Sequence, residues 1–324
     1  MGRLMTMIAA SNNLLRDLRV RVRKTHIENP LDQDIDDALA YILENISDFE
    51  AGAASPRRGY FITGPAGTGK TTGFRHALSK VPELQPRVDE YGELIQPVIG
   101  AKLPKKSLTR DIIVELLKAM KLPFEGKNEG ELTRFFLDQI KQRQIKIIYL
   151  DELQHTVRSN TTAAFEAAQD LLKQLLDTED WPLHVICSGM PRIERLRDDD
   201  QVGRRTKVIP FHRMNFSEDA EWIERVIRAV AVEGCGLDLA SELKDGEFLE
   251  RLCHATKGAW GTMIETTQEA SFRARARGKA VLTISHFGQQ YEASSGCSRQ
   301  DNIFIAPNFR DIEPRKSLGA MEEE

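Results

Sequence analysis

The 324 residues carry 45 lysines and arginines against 49 aspartates and glutamates, a net charge of −4. That balance excludes indiscriminate adhesion to nucleic acid or to an acidic membrane, and leaves such binding only to a local basic patch. The four cysteines (Cys187, Cys235, Cys253 and Cys297) have neither metal-ligand spacing nor the look of a disulfide framework, and no stretch approaches the ~20 apolar residues of a membrane span. A soluble, cytoplasmic chain with reduced thiols is expected, long enough for one core and a smaller appended domain.

Residues 1–55 read as a helical lead-in. A basic run (Arg16, Arg19, Arg21, Arg23, Lys24) precedes residues 32–49, where Ile35, Leu39, Ile42 and Ile46 fall on one helical face. Small, turn-prone residues at 51–58 form a linker. From 56 to 212 two patterns alternate. Short apolar runs at 59–63, 96–100, 145–150, 183–188 and 206–211 predict strands, and helical periodicity appears over 71–80, 107–120, 129–143 and 163–177. Such alternation builds βαβ units, hence an α/β fold on a parallel sheet. Past 212 the sequence predicts helices alone, at 217–231, 247–256 and 261–277, giving a small all-helical domain over 213–290. Residues 291–324 lack periodicity and read as an extended or mobile tail.

The strongest chemical signal is GPAGTGKT, the residues Gly64, Pro65, Ala66, Gly67, Thr68, Gly69, Lys70 and Thr71, with Thr72 just inside the following helix. It fits the phosphate-binding pattern G-x-x-x-x-G-K-[ST] and lies between a predicted strand and a predicted helix. Glycines let the backbone aim its amides at phosphate oxygens, and the helix N-terminus adds partial positive charge. Lys70 is placed to reach the outer phosphates, and the Thr71 hydroxyl to ligate Mg²⁺. The run IKIIYL followed by Asp151 and Glu152 has the form of a Walker B strand: Asp151 to hold Mg²⁺, Glu152 to activate the attacking water. The pair of motifs predicts ATP hydrolysis as well as binding. Ser188, ending the next apolar run, is either a γ-phosphate sensor or a strand-end serine satisfied by backbone. Arg204 and Arg205 precede the last predicted strand; one of them, Arg205 ahead of Arg204, is a candidate arginine finger, the other reading being surface charge at a helix end. Between the second strand and its helix, Lys102, Lys105, Lys106, Thr109 and Arg110 form a basic loop suited to phosphate-backbone contacts without base reading.

In order and spacing these segments resemble the transposition ATPases of the TniB/TnsC group, AAA+ proteins related to MuB and IstB. The resemblance runs over roughly residues 20–280. It rests on DELQH at 151–155, WPLHVICSGMP at 181–191, DDQVGRR at 199–205, KGAWGTM at 257–263 and HIENP at 26–30. Thr262, Met263 and Ile264 stand where that family's second-sensor arginine is expected, and Thr206 where an aromatic follows the finger. The resemblance implies a P-loop AAA+ core over 56–212 with a helical lid over 213–290, using ATP and Mg²⁺. It implies an ATP-dependent homo-oligomer, ring or filament, assembled on duplex DNA without sequence preference. It further implies a transposase and a target-selector protein as partners, and no membrane. Two other classes share the core motifs: a signalling or secretion-associated ATPase that remodels protein, and a replication-initiator or helicase-loader ATPase.

Overall fold

The computed structural model describes residues 2–105, 107–157 and 162–314, the side chains of 2–12 and 164 excepted. Two compact units make up the chain: Leu31–His212, and Met1–Pro30 together with Arg213–Glu324. The expected lead-in is therefore divided at Pro30. Its first helix, α1 (Gly2–Lys24), belongs to the second unit, while α2 (Asp32–Glu50) belongs to the first.

The first unit is built on five strands: β1 (Gly59–Thr63), β2 (Val98–Lys102), β3 (Ile147–Asp151), β4 (His184–Gly189) and β5 (Thr206–Pro210). They lie in the order β2-β3-β4-β1-β5, every neighbouring pair parallel. Helices α3 (Lys70–Ser79), α4 (Thr109–Ala119), α5 (Glu129–Gln142), α6 (Gln154–Val157), α7 (Thr162–Leu176) and α8 (Asp200–Arg205) connect them. Parallel strands are covered on both faces, and successive residues feed opposite sides. Phe61, Ile148, Leu150, Val185 and Cys187 bury into one core with the apolar faces of α4, α5 and α7. Tyr60, Ile62, Ile147, Tyr149 and Ile186 bury into the other, against Ile35, Leu39 and Ile42 of α2 and Phe74 of α3. The α5 start shows why a helix begins there: the Asn128 side chain accepts from the Glu131 amide while Glu131 accepts from the Asn128 amide.

Three strands sit later than the sequence places them, at 98–102, 147–151 and 184–189. The 145–150 run begins its ladder only at Ile147, because the Ile145 amide still donates to Ile140 at the end of α5. It continues one residue further, so that Asp151 pairs with Lys102 in register. Both are thus carried to the C-terminal edge of the sheet.

In the second unit α1 is joined by α9 (Phe216–Ile227), α10 (Gly246–Ala255), α11 (Trp260–Ala276) and α12 (Ile284–Ser295). The unit is not purely helical: Asp238–Leu239 pairs in parallel with Val281–Leu282. Nor does an extended tail begin at 291. Ile303, Phe304 and Phe309 are buried with Phe248, Phe287 and Tyr291 in this unit's core. The buried Arg251 donates to the carbonyls of Ile303 (2.5 Å) and Ala306 (2.8 Å) and lies 4.1 Å over the Phe309 ring. Asn302 donates to the Gly288 carbonyl at 2.8 Å. Polar side chains satisfy a backbone that forms no ladder of its own, and that lets an aperiodic segment pack. All four cysteines are free and buried. Among the described residues no helix is long and apolar enough to cross a membrane.

One buried titratable group ties α2 to the sheet. His184 Nε2 lies 3.0 Å from Asn45 Nδ2 and its Nδ1 is 3.1 Å from the Pro182 carbonyl. The ring is therefore neutral, with the proton on Nδ1 donated to that carbonyl. Burial lowers its pKa from 6.5 to about 4, against the opposing pull of the Pro182 carbonyl. The unfolded chain binds this proton below pH 6.5 and the folded chain does not until about pH 4. The contribution is thus complete above pH 6.5 and is lost as pH falls, about 3 kcal/mol in all. Denaturant unfolding at pH 6.5 and pH 5 should show the wild type losing about 2 kcal/mol more than His184→Asn over that interval. Equal losses in the two proteins would remove His184 as the cause.

Candidate nucleotide site

Strand β1 ends at Thr63 and α3 begins at Lys70; the residues between them form a loop that only glycine permits. Gly67 (φ 77°) and Gly69 (φ 98°) take left-handed backbone conformations. A Cβ on Gly64 would stand 2.3 Å from the Phe211 carbonyl oxygen. Thr68 Oγ1 donates to the Pro65 carbonyl at 2.9 Å and closes the turn from inside. Ala66 and Gly67 are exposed at its tip. Thr72, also exposed, opens the helix beside Thr71.

Lys70 Nζ donates to the carbonyls of Gly64 and Pro65, both at 2.7 Å, which holds the amine across the loop. Burial lowers its pKa to about 8, while Glu152 and Asp151 pull it back up. A phosphate anion in the loop would restore full charge to such an amine. From β3, Asp151 Oδ2 accepts from Thr71 Oγ1 at 3.0 Å and Oδ1 accepts from the Glu152 amide at 3.0 Å. A hydroxyl and a carboxylate side by side at the phosphate loop are the hard oxygen donors Mg²⁺ takes when a nucleotide supplies the rest of its shell. Among the described residues no group of three or more His, Cys, Asp or Glu forms a self-sufficient metal cage. The residues present therefore fit a metal that arrives with its nucleotide, and Thr71 and Asp151 would hold it.

Glu152 follows in a left-handed conformation, φ 59°, which costs a non-glycine residue about 1–3 kcal/mol. Its Oε2 accepts from Gln154 Nε2, and its Oε1 lies 4.0 Å from Lys102 Nζ. Ser188 is fully buried on β4, beside the Tyr149 phenol, which also reaches Thr71 and Asp151. Neither hydroxyl makes a hydrogen bond of ordinary geometry among the described residues. Burial first, then the Asp151 charge, raises the pKa of Tyr149, so the phenol stays protonated and able to donate. The structure thus brings Ser188 to the corner where the two Walker segments meet. It adds Tyr149 and Gln154, which sequence reasoning missed. A phenol inside the apolar run and a glutamine right after the acidic pair were the available signals.

The remaining candidates lie elsewhere. Arg205 ends α8 with its side chain only 24% exposed, paired with Asp177 at 2.6 Å. Arg204 beside it is exposed. Of the two, Arg204 is the more accessible, because Asp177, the residue after α7, holds Arg205 down. Both precede Thr206, which pairs with Gly59 at the start of β1. They stand a strand length, about 15 Å, from the loop that follows Thr63, too far to touch a nucleotide in their own molecule. In the basic loop Lys102, Lys105 and Arg110 are exposed, but Thr109 Oγ1 is buried. Thr109 is thus not available as a phosphate contact. Lys106 falls outside the described residues.

Residues 54–196, from the linker to just beyond β4, match the family model described as an AAA domain. Among solved structures the chain is similar to Cdc6p from Pyrobaculum aerophilum, at 13% identity and TM-score 0.55, covering 83% of this chain and 69% of that one. It is also similar to the ORC2 protein of Aeropyrum pernix, solved as ADPNP–ADP complexes, at 15% identity and TM-score 0.53, covering 82% and 69%. No curated protein matches the sequence. At these identities the likeness is one of fold: a P-loop AAA+ sheet with helices and a helical C-terminal region.

The two motifs separate binding from turnover. Lys70→Ala should weaken ATP binding by about 10²-fold, since it removes a charge-assisted contact worth about 3 kcal/mol. Glu152→Gln should bind ATP like the wild type and release phosphate about 10²–10⁴-fold more slowly. Nucleotide titration and steady-state phosphate release measure both. Wild-type turnover in Glu152→Gln would take that residue out of the chemistry.

Proposed function

We propose that this protein is an ATP- and Mg²⁺-dependent AAA+ ATPase that assembles on duplex DNA and regulates DNA transposition. In its ATP-bound form it would mark target DNA, meet a target-selector protein, and recruit and activate the transposase. Hydrolysis would dissolve the assembly. The observation that carries the reading is the placement of the basic loop. Lys102 is the last residue of β2, the register partner of Asp151, and its amine faces Glu152 at 4.0 Å. A cation-bearing loop and the nucleotide chemistry share one edge of the sheet, so contact with a phosphate backbone and the state of the nucleotide can influence each other. Lys105 in the loop and Arg110 in the first turn of α4 are exposed as well. A second basic surface is the run Arg16, Arg19, Arg21, Arg23 and Lys24 on α1, all exposed, in the same unit as the exposed Arg275, Arg277 and Lys279 near the end of α11. Arg204, exposed and remote from its own phosphate loop, would serve a neighbouring subunit's nucleotide.

With a chain charge of −4, binding should need assembly, which lines up many weak contacts along one duplex. ATP with Mg²⁺, or a non-hydrolysable analogue, should promote cooperative duplex binding of little sequence preference that weakens steeply with salt. Replacing Lys105 and Arg110 together by alanine should weaken binding to all sequences alike and flatten the log–log salt slope by ~1.8, at ~0.9 per contact. ATP affinity should not change. Lys102→Ala belongs in a separate measurement, because it also alters the surroundings of Glu152. Absence of duplex binding at low salt would favour the protein-remodelling reading, and strong preference for one sequence a replication initiator.

Shared active sites have their own signature. Phosphate release per subunit should rise with protein concentration, and Arg204→Ala should abolish the rise with monomer nucleotide affinity intact; fingers are worth ~10³–10⁵ in rate. Specific activity that stays flat across the dissociation range would defeat the assignment, and loss in Arg205→Ala alone would return it to Arg205.

A further inference from the structure

The Gly189–Met190 peptide, where β4 ends, is bonded on both sides. Its carbonyl accepts from the Gly64 amide, the first of the phosphate loop, at 3.1 Å. Its N–H donates to Gln154 Oε1 at 3.1 Å. The other end of the same glutamine donates, through Nε2, to Glu152 Oε2. A trans peptide holds its carbonyl and its N–H pointing in opposite directions within one rigid plane. A continuous path therefore runs from the phosphate loop, through one peptide unit and one side-chain amide, to the carboxylate that activates water. The Leu153 amide bonds the Ser188 carbonyl at 3.0 Å and fixes the turn beside it.

Residue type and space both fit this path. The peptide N–H needs an acceptor and the carboxylate a donor, and a primary amide offers both in one group. Flipping the amide would break both bonds. The glutamine is 6% exposed, so water does not compete freely for either bond. Glycine at 189 leaves the amide its room: a Cβ there would stand 2.4 Å from Gln154 Oε1 and push it aside. Glu152 also needs external support, since its left-handed backbone is one its own residue type disfavours. The exposed Lys102 at 4.0 Å gives little of it.

We infer that Gln154 is a positioning residue. It aims the Glu152 carboxylate at the attacking water and ties that aim, through the Gly189–Met190 peptide, to the set of the phosphate loop. The inference rests on Glu152 as the base, and the experiment keeps the two apart. Nucleotide affinity and steady-state phosphate release are measured for Gln154→Ala, Gly189→Ala, Glu152→Gln and the double variant Gln154→Ala with Glu152→Gln. Misplacing a reacting group by about 1 Å costs about 10²-fold. Gln154→Ala should lower kcat to that extent with ATP affinity within a few-fold of wild type. Gly189→Ala leaves the glutamine in the chain and displaces its amide, with the Ile193 side chain yielding by a few tenths of an ångström; it should reproduce the kcat loss. In the double variant Gln154→Ala should add nothing to Glu152→Gln, because the group being aimed is gone. Wild-type kcat in Gln154→Ala, with turnover still lost in Glu152→Gln, overturns the inference and spares the base. Wild-type turnover in Glu152→Gln overturns the base itself. If Gln154→Ala does not fold, Gly189→Ala decides, and unchanged kcat there overturns the inference.

Discussion

Three parallel strands, β3, β4 and β1, end in register at one edge of the sheet, and each ending supplies a different kind of group. Strand β1 runs into the glycine loop and the amine of Lys70. Strand β3 ends on Asp151 and hands over to Glu152. Strand β4, between them, ends on Ser188 and Gly189. Because β4 pairs with both neighbours, it fixes the spacing between the phosphate loop and the acids. No side chain has to do that work alone. The Thr71–Asp151 hydrogen bond at 3.0 Å is a consequence of the register, as is the short reach from the Gly189 carbonyl to the Gly64 amide. A slip of one residue between β4 and either neighbour would turn every inward side chain to the wrong face.

Much of this was legible in the sequence, for physical reasons. Strands covered on both faces must be apolar throughout, so runs such as YFI and IIYL announce themselves. The phosphate loop is legible because its backbone excludes nearly every residue but glycine. What could not be read depended on partners distant in the chain. Asp177 holds Arg205 and leaves Arg204 outside, and adjacency in sequence cannot say which of two arginines meets a carboxylate just past α7. Past the end of α12 the segment to 314 lacks periodicity because its order comes from Arg251, which satisfies its carbonyls from α10, and from Asn302, which ties it to the Gly288 carbonyl of α12. The lead-in looked like one segment, and its division at Pro30 reflects which core Val22 and Ile35 enter.

Gln154 and Tyr149 belong to another kind of miss. Each occupies a position where the motif constrains size and polarity loosely, so neither departs visibly from pattern. Their significance appears only when the third strand is in place. The phenol meets Ser188 on β4 and the amide meets Met190, the residue that follows β4. Motif matching reads along the chain, whereas these groups act across strands.

The position of Arg204 has a consequence for symmetry. It sits at the opposite edge of the sheet from its own phosphate loop, one strand length away. A group that serves a neighbour from that edge gives each molecule a donating rim and a receiving rim. A two-fold dimer could complete its two sites only if donating and receiving rims lay within one self-complementary patch, each rim meeting the other kind on its partner. A head-to-tail contact would instead complete one site at each interface. A closed cycle then completes as many sites as it has subunits, while an open chain always leaves one fewer, with a terminal molecule that holds nucleotide and turns it over slowly. The terminal subunit would thus be chemically distinct from the rest without any difference in sequence.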